Sequence, residues 1–423
     1  MLDIAYLRAN RSECINRLKV KNFNSIDLID ELIEKDDLRK STQQQLDELL
    51  SNANRIAKEI GRLYKQGERD KAEELKKESY LNKENVGKIQ TFFTKLNKDI
   101  LNLLVKLPNL PHHTVPQGKS SNYNQIIKES SNQIELRPES KPHWDLATKY
   151  NLISFDLGNK ITGSGFPVYI GQGARLQRSL ISYFLDKNIQ SGYTEYLPPH
   201  LVNEDSAFGT GQLPDKDEQM YQINSDSLFL IPTAEVPITN LFRNTILEEK
   251  DLPIKATSYT PCFRREAGSY GKSVRGLNRL HQFDKVEIVQ IDNPEDSYKT
   301  LDKMVKHVSS ILEELALPYR ILKLCGGDLG FTSALTYDFE VFSAAQKRWL
   351  EVSSVSNFET YQSRRIKLRY RDKDGKINYC HSLNGSALAL PRIFASIIEN
   401  NQTPNGIQVP KALQPYTGFD FIS

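Results

Sequence analysis

The sequence predicts an α+β protein in two parts: an N-terminal antiparallel α-helical coiled-coil arm, then a larger domain built on an antiparallel sheet. Three patterns carry that expectation. Leu46, Leu49, Ala53, Ile56, Ile60 and Leu63 are spaced 3-4-3-4-3, the seam of a coiled coil. Glycine breaks the pattern in Lys65-Gln66-Gly67-Glu68-Arg69, and the seam resumes at Ala72 and Leu75 and again at Val86, Ile89, Phe93, Leu96, Ile100 and Leu103. Beyond about residue 140 the heptads give way to short strand-like runs, aromatics and glycine or proline punctuation, with a few helices between.

The elements follow in order. Residues 2–20 read as one short helix. Two helices of similar length joined by a short glycine turn pack antiparallel, and a leg over residues 27–65 would be roughly 58 Å long at 1.5 Å per residue. Ser79 and Asn82 interrupt the second leg's seam. Residues 27–37 hold six acids and one base, and residues 38–101 hold fourteen bases and ten acids, so the root is acidic and the outer part mildly basic. Such sorting fits a solvated coiled coil, a dimerisation arm included, or a lever that holds a polyanion such as RNA by its backbone. Leu107-Pro108-Asn109-Leu110-Pro111 ends the second helix, because proline cannot continue it. The expected divisions are a helical arm over 1–107, a linker over 108–140 and the sheet domain over 141–423. Within the linker, residues 116–138 are polar and rich in serine and asparagine. Residues 172–188 and 295–315 read as helices of the sheet domain.

Composition excludes several classes. With 39% hydrophobic and 26% charged residues among 423, the chain is ordinary for a soluble globular protein. A net charge of +3 means that any nucleic-acid surface must come from local segregation of charge. Cys14, Cys262, Cys325 and Cys380 form no CxxC pair, which argues against a zinc knuckle or disulfide scaffold and for reduced thiols. The opening MLDIAYLRANRSE lacks an apolar core of signal-peptide length, and no apolar run reaches the length of a membrane span. The expected location is therefore cytoplasmic, with no membrane partner. His112 and His113 have no HExxH context and read as loop residues.

The chemistry is concentrated in residues 263–287, FRREAGSYGKSVRGLNRLHQFDKVE. Gly271-Lys272-Ser273 imitates the end of a phosphate-binding P-loop. Glu266, however, stands where that loop needs glycine, and Gly276 and a strand follow where it needs a helix. A strand, a long loop and a second antiparallel strand fit better. Alternation then puts Arg264 and Glu266 on one side, and Arg279, His281, Phe283, Lys285 and Glu287 on one face. Phe283 and Glu287 would lie roughly 13 Å apart. That separation suits an aromatic platform at one end of a ligand and a carboxylate at the other, with Arg264 forking onto a phosphate between them. A nucleotide lying across the sheet with a small amine at its far end fits this layout better than a surface hairpin of self-paired charges.

Here the chain resembles a known family. FRRE followed by Arg279 and Phe283 resembles motif 2 of the class II aminoacyl-tRNA synthetases. Asn384-Gly385-Ser386-Ala387-Leu388-Ala389-Leu390-Pro391-Arg392 resembles motif 3, and residues 172–188 with Glu195-Tyr196-Leu197-Pro198-Pro199 resemble motif 1. Within the class, PTAEVPITN, GTGQLPDK, CFRREAGSYGKSVRGLNRLHQFDKVE, EVSSVSNFETYQSRR and HSLNGSALALPR, in that order and with the hairpin, are similar to the seryl-tRNA synthetase family across essentially the whole chain. The resemblance implies an antiparallel-sheet class II synthetase catalytic domain over 141–423 behind a tRNA-binding arm.

It also implies an enzyme that ligates L-serine to tRNA(Ser), and to tRNA(Sec), through seryl-adenylate. ATP is the co-substrate, Mg²⁺ the cofactor, and the assembly a homodimer with tRNA crossing between subunits. Arg264 resembles the arginine that binds the ATP α-phosphate and the substrate carboxylate; Arg279 and Arg392 resemble the pair that folds back the γ-phosphate. Arg264 and Arg392 are the implied catalytic residues. Phe283 is the implied adenine platform opposite Arg392, Glu266 the contact to the adenine amino group, and Arg265 and Leu280 backbone-level neighbours of ATP. Glu351 and Ser354 match the magnesium ligands, with Val352 and Ser353 between them in the ATP-binding stretch. Thr233, Ala234, Glu235, Glu287, Asn384 and Ser386 match the serine pocket, and which carboxylate meets the serine ammonium stays open.

Three points remain physical. Residues three apart on a straight strand face opposite ways, so Glu351 and Ser354 require a bulge or strand end between them. Ser386 also fits a plain helix N-cap. Pro391 stands where many relatives have glycine, a cheap change near a helix start. Two other functions remain to be weighed. A paralogue that charges a carrier protein would lack the long hairpin, and a non-catalytic RNA-binding or scaffold protein would have lost Arg264, Glu351 or Arg392. Residues 204–217 and 269–278 are the expected ligand-closing loops.

Overall fold

The computed structural model describes residues 1–131, 139–215, 218–266 and 275–423. The chain divides into two units, residues 1–19 with 23–108 and residues 20–22 with 109–423.

The first unit is helical: α1 (Ile4–Ala9), α2 (Arg11–Val20), α3 (Ile26–Lys65) and α4 (Arg69–Leu104). The single short helix expected at the start is two. Asn10 leaves helical geometry at φ −122°, and its side-chain amide bonds the Tyr6 carbonyl, the local competition that makes asparagine a helix breaker. The 40 residues of α3 span about 60 Å. The turn into α4 places Gly67 at φ +81°, where a side chain would be strained. Leu46, Ile56, Leu63, Ala72, Leu96, Ile100 and Leu103 are buried, as the heptads require. The expected interruption at Asn82 is instead part of the seam: it is 6% exposed, and its Nδ2 donates to the Leu49 carbonyl at 3.0 Å. A polar seam residue satisfied by the facing helix helps fix the register of the pair. At the acidic root Asp36 is buried and accepts from Arg8 at 2.7 Å, Arg39 at 2.8 Å and Lys40 at 3.2 Å. Burial pushes its carboxyl up, but the bonds from Arg39, Arg8 and Lys40 outweigh that and hold it below the usual carboxylate value.

The second unit is built on an eight-stranded sheet. Its strands are β1 (Gln125–Glu129), β2 (Thr194–Glu195), β3 (Ile254–Phe263), β4 (Gln282–Asp292), β5 (Tyr319–Lys323), β6 (Leu335–Ser343), β7 (Arg348–Asn357) and β8 (His381–Ala389). They lie in the order β1-β5-β6-β7-β8-β4-β3-β2, antiparallel throughout except for the parallel edge pair of β2 with β3. The expected linker over 108–140 is corrected here. Residues 109–131 belong to the second unit, and β1 pairs with β5 at the sheet edge. All five β1 side chains are exposed, so the strand carries no buried alternation for sequence reasoning to find. Helices α6 (Gly171–Gln190), α7 (Ser297–Glu314) and α9 (Leu390–Asn400) bury Leu180, Met304 and Phe394 in one core with Val286, Ile288, Val355 and Leu383 of the sheet. Pro391 falls in the first turn of α9, where its missing N–H costs nothing.

The root of the arm yields a stability prediction. Asp36→Asn should destabilise the arm by about 1–3 kcal/mol near neutral pH, because three cations lose a shared anionic acceptor. The folded carboxyl titrates below its unfolded value, so the stabilisation is complete above roughly pH 4 and is lost as pH falls through the folded value. Helix unfolding followed by circular dichroism should show a wider gap between variant and parent at pH 7 than at pH 2.

Candidate active site

The site follows from β4, which is hydrogen-bonded to β3 on one edge and β8 on the other. Its pleat sends Val286 and Ile288 into the helix-covered core. Phe283, Lys285 and Glu287 face the other way, into a cavity of about 930 Å³. Two irregularities shape the walls. Lys285 pairs with Ala389 but Glu287 pairs with Ser386, so β8 carries an extra residue there, and Ser386 is drawn alongside Glu287. Across the cavity Phe339 pairs with Ser353 but Glu340 with Glu351, leaving Val352 as the extra residue of β7. That is the bulge which Glu351 and Ser354 required, and both side chains line the cavity.

The acidic end is tightly partnered. Glu287 is 1% exposed, and its Oε2 meets the Lys285 ammonium at 2.5 Å. The Thr233 and Ser386 hydroxyls donate to the same oxygen at 3.3 and 3.4 Å. Glu235 is buried nearby and accepts from Gln362 Nε2 at 2.6 Å. Gln362 lies on α8 (Tyr361–Ile366); its Oε1 accepts from the Ser382 hydroxyl at 2.7 Å, and its amide also reaches the Thr210 carbonyl at 3.2 Å. Burial pushes the Glu235 carboxyl from the usual 4.5 up to about 7. Asn384 completes this wall.

The cationic end is less saturated. The Arg264 guanidinium lies 5.2 Å from the Phe283 ring centroid, and its Nε donates to the Pro232 carbonyl at 3.4 Å. Arg392 Nη1 donates to the Glu351 carbonyl at 2.6 Å and its Nε to the Asn278 carbonyl at 3.2 Å. Arg279 and Glu266 are paired with one another. Ser354 Oγ donates to Asp338 Oδ1 at 2.5 Å. Burial and the nearby Glu351 carboxylate push the Asp338 carboxyl well above its usual value. Glu351, Ser354 and Asp338 thus gather hard oxygen donors on one wall, the donor chemistry a magnesium ion takes.

Several expectations change. Ala234 is buried beneath the cavity rather than lining it, and Arg265 is held by its backbone N–H on the Gln219 carbonyl at 2.9 Å. Ser386 is no N-cap: it lies within β8, and α9 is capped at Ala389. His281 does not share the face of Phe283. Residues 279–281 precede β4 and do not follow its pleat, so the His281 ring stacks on Phe166 at 5.4 Å in a neighbouring cavity. The first part of the expected 204–217 loop is a short helix, Glu204–Thr210, capped by Asn203. Residues 216–217 and 267–274, with the Gly271-Lys272-Ser273 imitation, lie outside the described residues. Lys285, Asp338 and Gln362 went unassigned in the sequence. The alternation of β4 already put Lys285 on the correct face, and Asp338 is one of two acids in its strand, opposite Ser354. Gln362 arrives from another element, and no spacing rule announces it.

Comparisons agree along the full chain. Residues 1–111 match the seryl-tRNA synthetase N-terminal domain, and residues 218–401 match the class II tRNA synthetase core domain for G, H, P, S and T. Serine--tRNA ligase of Salinibacter ruber is 47% identical over 99% of this chain and 98% of its own, and that of Akkermansia muciniphila is 45% identical over 100% and 99%. Seryl-tRNA synthetase from Pyrococcus horikoshii, solved with ATP, superposes with a TM-score of 0.91 at 33% identity, covering 100% of this chain and 99% of that one. The cytoplasmic serine-tRNA ligase of Naegleria fowleri, solved with AMP, superposes at 0.86 with 28% identity over the same shares. A class II sheet bearing paired carboxylates and arginines in one cavity, preceded in the chain by a two-helix arm, with such relatives end to end, leaves one conclusion: the chain belongs to the seryl-tRNA synthetase family, the class II enzymes that ligate serine to tRNA.

Proposed function

We propose that the reaction runs in two steps in the 930 Å³ cavity. ATP and L-serine give seryl-adenylate, and the seryl group then passes to the 3′ end of tRNA(Ser), and of tRNA(Sec). In the first step the serine carboxylate attacks the α-phosphorus, the bond to the bridging oxygen breaks, and pyrophosphate leaves. An ionised carboxylate needs no general base, so the rate rests on alignment and on cations where phosphate charge develops. Arg264 bridges the α-phosphate and the serine carboxylate. Arg279 and Arg392 hold the outer phosphates in a bent form, which requires Arg279 to open its pair with Glu266. Phe283 stacks the adenine, with Arg392 on its other side, and Glu266 takes the amino group; Arg265, Leu280, Val352 and Ser353 supply backbone and wall. Glu351 and Ser354 would hold Mg²⁺, which when bound neutralises phosphate charge.

Thr233, Glu235, Glu287, Asn384 and Ser386 form the serine pocket over Ala234, with the two carboxylates dividing the ammonium and the hydroxyl between them. Lys285 supplies the counter-charge that a carboxylate as buried as Glu287 needs. The arm over 1–107 selects tRNA by shape and backbone, which suits paired RNA whose major groove is too narrow to read. The working form is a homodimer in the cytoplasm. Leu197, in the stretch that resembles motif 1, is 80% exposed, as an interface residue would be in a lone chain. All four cysteines are buried and free, which suits a reducing compartment.

One observation carries this reading: Arg264, Phe283, Glu287, Arg392, Glu351 and Ser354 all line a single cavity, with Arg392 beside Glu351. Serine-dependent ATP–pyrophosphate exchange, followed by charging of tRNA(Ser), tests it. Arg264→Ala and Arg264→Lys should each lower exchange by roughly 10²–10³-fold; exchange that survives either change intact sinks the assignment. A second prediction concerns the free protein. With a folded value near 7 and an unfolded one near 4.5, Glu235 erodes stability as pH rises between those values, by about 3 kcal/mol in all. Glu235→Gln should therefore melt above the parent at pH 8 and level with it at pH 4.5, while losing serine activation.

A further inference from the structure

The arginines of the ATP side are tied to a polar network that the reaction does not use. Helix α5 (His143–Lys149) opens with His143, which is fully buried. Its backbone N–H and its ring Nδ1 both meet Glu399 Oε1, at 2.8 and 2.7 Å. Gln346 Nε2 donates to the same oxygen at 3.0 Å, and the Ser343 hydroxyl donates to Oε2. The ring's other nitrogen, Nε2, accepts the backbone N–H of Leu277 at 2.8 Å. An acceptor at Nε2 puts the ring proton on Nδ1, so the imidazole is neutral and Glu399 fixes its tautomer. Burial raises the Glu399 carboxyl, but the bonds from His143 and Ser343 more than offset it and hold it below the usual range.

The network reaches the site by two short steps. Asn278, next to Leu277, donates its Nδ2 to Gln346 Oε1 at 3.1 Å, and its carbonyl accepts from Arg392 Nε at 3.2 Å. Arg392 and Glu399 sit two turns apart on α9, hence on one face of that helix. The chain passes the ring with no room to spare: Gly276 has φ +70°, and a Cβ there would come within 2.2 Å of His143 Nε2. A buried carboxylate with a buried imidazole costs more than apolar packing unless every group is satisfied. Here the His143–Glu399 pair is satisfied and ends on a backbone amide two residues before Arg279, while Asn278 Oδ1 beyond it is a buried acceptor without a partner among the described residues.

We propose that His143 and Glu399 are positioning residues: they latch residues 275–280 to the helix that bears Arg392, so that Arg279 and Arg392 meet the triphosphate in one register. This rests on the role proposed above for those two arginines. A misplacement near 1 Å is enough to cost about 10²-fold, so losing the latch should weaken ATP use without touching serine.

The test separates the two ligands. In His143→Gln, the ATP KM in pyrophosphate exchange and the calorimetric Kd for a non-hydrolysable ATP analogue should each rise about ten- to a hundredfold. The serine Kd measured without ATP should stay within about twofold, since the serine pocket lies elsewhere on the sheet. Glu399→Gln keeps an acceptor at Oε1 and a hydrogen-bonding group beside Ser343, so it should retain most of the parent's ATP affinity. Gly276→Ala presses on the ring from the loop side and should repeat the ATP-specific loss, which keeps the test open if His143→Gln does not fold. Parent-like ATP binding in Gly276→Ala, or ATP and serine affinities falling together, would overturn the latch. Arg392→Ala separates the premises: if it binds the analogue as the parent does, the phosphate reading is wrong; if it loses binding and the latch variants do not, only the latch is wrong.

Discussion

The register of β4 is the constraint on which the site depends. Hydrogen bonds on both edges hold it, and the pleat then decides everything else. A slip of one residue would turn Lys285 and Glu287 into the apolar core and expose Val286 and Ile288 to the cavity. Burying those charges among leucines and phenylalanines would cost far more than the sheet could return, so the core enforces the register and the register delivers the site. The same logic explains the two bulges. Strict alternation allows only every second side chain onto a wall, and this cavity needs more. The extra residue in β8 brings Ser386 beside Glu287, and the extra residue in β7 lets Glu351 and Ser354 share a wall.

Charge is distributed unevenly along the cavity, and the unevenness has direction. Lys285 sits on Glu287, Arg279 pairs with Glu266, and Arg392 is drawn to Glu351. Arg264 instead rests on the Phe283 ring and the Pro232 carbonyl. An aromatic face and one carbonyl satisfy a guanidinium only weakly compared with a carboxylate. Its charge is therefore the most available to an incoming anion, at the point on the sheet between the aromatic platform and the buried acids. The others must first exchange partners, which is what a site needs if its cations are to be held in place before any phosphate arrives.

Much of this was legible in the sequence because periodicity records burial. The heptads marked the arm, and strand alternation marked Phe283, Lys285 and Glu287, since both patterns follow from which side of an element meets water. Legibility failed where that link is broken. Strand β1 is exposed on all five residues and left no trace. His281 was assigned by extending a strand pattern three residues beyond where the strand exists. Asn82 looked like an interruption because its partner, the Leu49 carbonyl, is a backbone atom on another helix. Gln362 and the His143–Glu399 pair act through contacts between elements far apart in the chain, and Asp338 through a partner on the neighbouring strand; no local spacing encodes those.

On the serine assignment proposed above, the acidic end would gain selectivity from groups that are already committed. Glu287 Oε2 accepts from Lys285, Thr233 and Ser386, while Glu235 Oε1 accepts from Gln362, which Ser382 and the Thr210 carbonyl hold in turn. These carboxylates cannot turn to suit a poor ligand, and at such depth water is a limited substitute. An amino acid without a hydroxyl would leave one of them under-coordinated, the kind of loss that yields discrimination of about 10⁴-fold or more. An amino acid with an additional methyl is opposed by space alone, a far weaker device. On that assignment, rigidity that rejects alanine would do little against threonine, and selectivity against the larger residue would come from the walls: the bulged β8 beside Glu287 and the helix that begins at Glu235.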